Sequence, residues 1–118
     1  NSCCGHPRPG ETPREAVVRR VTSELGAAPT DLRLVLPSFS YHAVDPAGTV
    51  EHELCPVWLG RISPDQLRPD RTEVMDTCWV DWPVLRNIVA GAPGLLSPWA
   101  VLQVPLLAEA VTGAEVVA

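Results

Sequence analysis

Lysine is missing from all 118 residues. That excludes Schiff-base chemistry and a phosphate-loop lysine within this stretch. The nine basic side chains are all arginine, and they face 14 acidic ones for a net charge of −5. With no basic run, a nucleic-acid partner is not expected. No apolar run approaches the length of a membrane span, and no signal-peptide pattern opens the chain. A cytoplasmic protein with no membrane partner is the expectation. The four cysteines include no CxxC pair, so a zinc ribbon is not expected either. They stand at 3, 4, 55 and 78, which allows three pairings. A chain of this length with 46% apolar residues supports a modest core without disulfide staples, so free thiols are expected. No internal repeat and no long linker divide the chain, which reads as one domain over residues 1–118 of unknown oligomeric state.

What is present concentrates at the start. Cys3-Cys4-Gly5-His6 puts thiol and imidazole in a loop broken by Pro7, Pro9 and Gly10. Thr12-Pro13-Arg14-Glu15 is a capping box with proline at the first helical position. The helix it starts should run to about Leu25, stop at Gly26, and carry Glu24 at its far end. Next, Leu32, Leu34 and Leu36 alternate within 31–43, the period of a half-buried strand; Pro37 suggests a break or an edge position, and Phe39 and Tyr41 follow a period of two after it. Asp45-Pro46-Ala47-Gly48 has type I turn chemistry. A strand over 49–59 should return antiparallel, with Glu51, Glu53 and Cys55 on one side and Val50, His52, Leu54 and Trp58 on the other.

Carboxylates at i and i+2 lie about 7 Å apart along a strand. Glu51 and Glu53 either form the solvated face of an edge strand or reach one cation between them. Residues 61–72 read as a polar surface loop with a short helical turn after Ser63, and 73–80 as a further strand. Asp81 should cap a helix over 82–89 closed by Gly91. Ser97-Pro98 should open a last helix, interrupted or kinked at Pro105. Without other information Cys4 is a small buried thiol, His6 satisfies a loop carbonyl, and His42, His52, Cys55 and Cys78 are structural.

Gly10-Glu11-Thr12, Glu15-Ala16, Arg19 and Glu24-Leu25-Gly26 resemble a Nudix box, the loop–helix–loop that binds divalent metal and diphosphate. Where a Nudix hydrolase places two further metal-binding glutamates, this chain has Arg20 and Ser23. The segments CGHP, FSYHAVDPAG, VEHELCPV and SPW, in that order, resemble one Nudix branch, the type I isopentenyl-diphosphate Δ-isomerases. The resemblance implies an α+β fold, a Nudix-like mixed β-sheet packed between helices and lacking its N-terminal strands. On that likeness the residues are the C-terminal portion of a longer isomerase. Two metal-binding histidines and the diphosphate-binding bases would lie outside them, leaving the stretch inactive alone.

The activity implied is conversion of isopentenyl diphosphate, a small-molecule diphosphate substrate, to dimethylallyl diphosphate. It requires an acid and a base on opposite faces of the substrate, with water kept from a tertiary carbocation. By resemblance Cys4 acts on one face, Glu53 with Tyr41 on the other, and Trp99 stabilises the cation, with acid and base exchangeable. His6, Glu51 and Glu53 would hold Mn²⁺ or Zn²⁺, the ions suited to mixed nitrogen and oxygen donors. Glu24 would bind Mg²⁺ through the diphosphate, and Arg20 is either a phosphate contact or a surface arginine. Cys3, Trp58, Trp79 and Trp82 are assigned to packing or surface. The alternatives are a Nudix hydrolase of a nucleoside diphosphate derivative, and a silent binding module.

Overall fold

The computed structural model describes residues 2–44 and 46–110, without the side chains of Ala43 and Glu51. The first turn residue, Asp45, and the tail from Thr112 lie outside the described residues. Helix α1 spans Pro13–Leu25. Its start is a complete capping box: the Thr12 N–H donates to Glu15 Oε2 at 2.8 Å, and the Glu15 N–H to Thr12 Oγ1 at 3.3 Å. Its end is Gly26 in the left-handed region, φ 71°. The last carbonyls of a helix need donors from elsewhere, and the loop after a 3-10 turn at Pro64–Gln66 supplies two. Arg68 N–H donates to Leu25 O and Asp70 N–H to Glu24 O, both at 2.8 Å. A Cβ on Gly26 would come within 2.2 Å of the Arg68 carbonyl oxygen, so glycine is needed both for φ and for this approach.

Four strands follow: β1 Thr30–Leu36, β2 Ser40–Val44, β3 Val50–Leu54 and β4 Val57–Arg61. The alternation expected over 31–43 breaks at Pro37, and that over 49–59 breaks at Pro56, which has no N–H to donate to a ladder. The expected α+β class is present. Among the described residues β1 pairs with β4, and β2 pairs with β3 as an antiparallel hairpin. The register sets Tyr41 opposite Glu53 and His42 opposite His52.

The strand expected over 73–80 does not form. The Asp70 carbonyl takes its first two amides, accepting from Glu73 N–H at 3.1 Å and Val74 N–H at 2.8 Å, while the Asp70 carboxylate accepts from the preceding Thr72 N–H at 2.8 Å. The first two amides of the segment are thus paired within the loop by a backbone carbonyl and are not offered to a ladder. Helix α2, Trp82–Gly91, follows Asp81, and α3, Pro98–Ala110, keeps Pro105 inside it. The Ser97 hydroxyl accepts from Ala100 N–H at 3.3 Å, which fixes the first turn of α3 and so Trp99.

The chain divides into two compact units, Asn1–Arg33 with Leu59–Trp79, and Leu34–Trp58 with Val80–Ala118. In the first, Ala16, Leu25 and Ala27 are buried beside the Glu24 carboxylate. In the second, Phe39 is buried, as are Ala100, Val104 and Leu107 on one side of α3.

Candidate functional site

The chemistry-bearing residues divide between the two units. In the first unit, Arg19 of α1 ties down the thiol–imidazole loop. Its guanidinium bonds Glu11 at 2.7 and 2.9 Å and donates to the His6 carbonyl at 3.1 Å. The paired guanidinium, with the Arg8 N–H, holds the Glu11 carboxyl down at about 2. Arg20 crosses directly under the loop. A Cβ on Gly5 would sit 2.8 Å from Arg20 Cγ, so the glycine between Cys4 and His6 is what lets the arginine stem pass. Cys4 and His6 are exposed.

At its tip Arg20 donates to Glu24 and, at 3.1 Å, to Glu73. Its Nε–H is buried and has no hydrogen-bond partner. Arg20 therefore stands among carboxylates where a hydrolase would add another one. Cys3 is half-buried beside Glu24, and burial first, then the adjacent carboxylate, pushes its thiol up to about 12. It is a neutral packing thiol, as assigned. All four cysteines are free.

Glu73 was missed in the sequence, where it only opened a strand. Nothing local marks it, because its partner lies 53 positions away. The carbonyl of Glu24 accepting from Asp70 brings that loop alongside the helix end.

In the second unit the β2–β3 hairpin faces one side inward. Phe39 is buried on that side, and Tyr41, Glu53 and Cys55 are half-buried, whereas His42, Val50, His52 and Leu54 opposite are exposed. Glu53 on the acidic face is half-buried rather than fully solvated. The Tyr41 phenol donates to Glu53 Oε2 at 3.3 Å. Trp99 lies with its ring centre 5.9 Å from that of Tyr41, tilted by 40°. Carboxylate, phenol and indole thus form one contiguous cluster. Glu51 stands opposite Ala43 on the same face, but its side chain lies outside the described residues.

Two open grooves of the second unit, of about 450 and 500 Å³, run along α3 and are lined by none of Tyr41, Glu53 and Trp99. Among the described residues no three His, Cys, Asp or Glu side chains converge as a metal cage. No helix among the described residues is long and apolar enough to cross a membrane.

The Nudix domain profile matches residues 1–99. The chain belongs to the Nudix family. Within it, the chain is 53% identical over 113 residues to the isopentenyl-diphosphate Delta-isomerase of Mycolicibacterium vanbaalenii, covering 96% of this chain and 61% of the relative. It is 49% identical over 110 residues to the isopentenyl-diphosphate Delta-isomerase of Frankia alni, covering 93% and 56%. It is 50% identical over 109 residues to that of Cutibacterium acnes, covering 87% and 55%. The chain therefore spans somewhat more than half the length of these curated relatives.

Proposed function

We propose that this protein isomerises isopentenyl diphosphate to dimethylallyl diphosphate. The observation that carries this reading is the likeness, at 46–53% identity, to relatives that all bear that name. The Tyr41–Glu53–Trp99 cluster supports it chemically. Protonating an unactivated alkene needs a strong, oriented acid in a place that excludes water. Glu53 is half-buried and oriented by the Tyr41 phenol, and the two deliver the proton to the terminal carbon. The positive charge then develops at the tertiary carbon, where the face of Trp99 stabilises it. A desolvated cation–π contact gives about 2 kcal/mol or more. Cys4 removes the proton from the neighbouring carbon, which completes the 1,3-shift; microscopic reversal exchanges the two roles.

His6, Glu51 and Glu53 are the residues that would hold Mn²⁺ or Zn²⁺, and Glu24 would take Mg²⁺ together with the diphosphate. These ions supply positive charge for the phosphates and a fixed carboxylate orientation. Arg20 binds the diphosphate from beside Glu24. Its guanidinium, with Ser23, replaces the carboxylates that a hydrolase uses to activate water, so diphosphate is held without being cut. The reaction uses a small, soluble diphosphate, which fits a cytoplasmic protein.

The test is conversion of isopentenyl diphosphate by the full-length protein with Mg²⁺ and Mn²⁺, next to Cys4→Ala and Glu53→Gln. Turnover in the parent should fall by about 10²–10⁴-fold in each variant, the usual worth of a positioned acid or base. Phosphate release from nucleoside diphosphate derivatives, with no isomerisation, would assign the protein to the hydrolases instead.

A further inference from the structure

The outward face of the β2–β3 hairpin carries chemistry that the proposed reaction does not use. His42 and His52 are directly opposite in the register. Both are exposed, and their ring centres are 5.9 Å apart with the planes at 66°. The Cys55 N–H donates to Phe39 O at 2.8 Å, which marks Phe39–Cys55 as a hydrogen-bonded pair of this ladder. Pairs alternate along an antiparallel ladder, so Tyr41–Glu53 is also hydrogen-bonded and His42–His52 is not. Non-hydrogen-bonded partners have the closer side chains, with Cα atoms about 4.5 Å apart.

Two imidazoles in such a place are close enough to share one ion. With metal–nitrogen bonds of about 2.0–2.1 Å, one ion held at near-tetrahedral angles separates two ring centres by about 5–6 Å. The observed separation already lies in that range, so rotation about the side-chain torsions suffices and the backbone need not move. The other outward residues of the two strands, Ser40, Val44, Val50 and Leu54, offer no competing carboxylate and leave the remaining coordination positions to water.

We propose that His42 and His52 form a two-imidazole site for a late first-row divalent ion (Zn²⁺, Ni²⁺ or Cu²⁺), on the face opposite Glu53. Imidazole nitrogen suits these ions, whereas Mg²⁺ prefers oxygen. The bound ion clamps β2 to β3 one residue from the Tyr41–Glu53 pair and so pins the register of the strands that carry it. This site is independent of the isomerase reading: it stands or falls on the hairpin alone.

The experiment is Ni²⁺ binding to the tag-free full-length protein by equilibrium dialysis under saturating Mg²⁺. The wild type is compared with His42→Asn, His52→Asn, the double variant, and His6→Gln as a marker of the other candidate metal site. The second imidazole meets an ion already held by the first, at an effective concentration set by the strands, so either single change should weaken binding about tenfold or more. One equivalent lost in all three hairpin variants and retained in His6→Gln is the expected result. Ni²⁺ uptake unchanged in the double variant, or lost only in His6→Gln, overturns the proposal. So does wild-type affinity in both single variants, which would mean two independent imidazoles.

A measurement on the unmutated protein guards against a misfolded variant. Substoichiometric Ni²⁺ should broaden the imidazole proton resonances of His42 and His52 together. Broadening of neither, or of one alone, rejects the chelate.

Discussion

Arg20 is held on two sides by carboxylates of unequal standing. Glu24 is buried at the end of α1, whereas the Glu73 side chain is 48% exposed, so their contributions differ. An exposed ion pair contributes about 0–1 kcal/mol. Removing Glu73 should therefore leave the fold intact and release one restraint on the guanidinium. On the proposed isomerase reading, Glu73→Gln in the full-length protein is expected to raise KM for isopentenyl diphosphate up to about fivefold, the kinetic equivalent of that energy, with kcat little changed. Equal falls in kcat and kcat/KM would show instead that Glu73 acts on the transition state. Individual residues were legible in the sequence where their partners are near or their motif is contiguous: Cys4, His6, and the Thr12–Glu15 cap. Glu73 was not, because the contact that defines it crosses 53 positions and depends on how a loop seals a helix end.

At the scale of elements, the first helix is where sequence and structure agree most closely, and the reason is local chemistry. Capping box, proline at the first position and terminal glycine each satisfy or omit specific backbone donors and acceptors. The antiparallel return of β3 on β2 was legible from the alternation on either side of the turn. The break at Pro37 was marked by the proline itself, whereas that at Pro56 was not, since period-two alternation runs on from Leu54 to Trp58 and only the missing N–H interrupts it. The false strand over 73–80 had the right period, but the Asp70 carbonyl claimed its first two amides.

Two predictions belong to this helix and its loop. Gly26→Ala places a Cβ against the Arg68 carbonyl in a left-handed conformation, a strain of about 1–3 kcal/mol. A drop of several degrees in melting temperature is expected, and an unchanged melt would mean that the 67–70 segment moves away freely. The second concerns acid. Arg19 lowers Glu11 from 4.5 to about 2, so the ionised form is favoured by folding. A depressed folded pKa contributes stability that is complete above about pH 4.5 and is lost as pH falls towards 2. Glu11→Gln removes that contribution throughout. Its stability deficit against wild type should shrink between pH 4.5 and 2, read from denaturant midpoints at each pH. A deficit constant with pH would show that the pair does not drive it.

For the whole molecule, the decisive fact is how much large apolar surface these residues leave uncovered. Val44, Val50 and Leu54 on the outward hairpin face are 57%, 58% and 69% exposed, and Leu102 and Leu106 on α3 are 50% and 43% exposed. Scattered single apolar residues on a surface mean little, but neighbours on one strand pair form a patch. Val44 and Val50 are direct partners in the ladder, and Leu54 lies two residues beyond His52 on the same face. Such an exposed apolar face invites association with another copy. The 118-residue chain on its own should therefore show concentration-dependent light scattering and bind a hydrophobic dye. Leu54→Ser together with Val50→Thr should suppress both while leaving the Tyr41–Glu53 pair in place on the opposite face. The full-length protein provides the decisive comparison. If the additional residues of a full-length protein cover this face, its scattering will be low without any substitution, and the two changes will destabilise it instead of solubilising it. Low scattering by the 118-residue chain itself, with a cooperative melt independent of concentration, would mean that the exposed valines and leucines are tolerated singly and do not act as a patch.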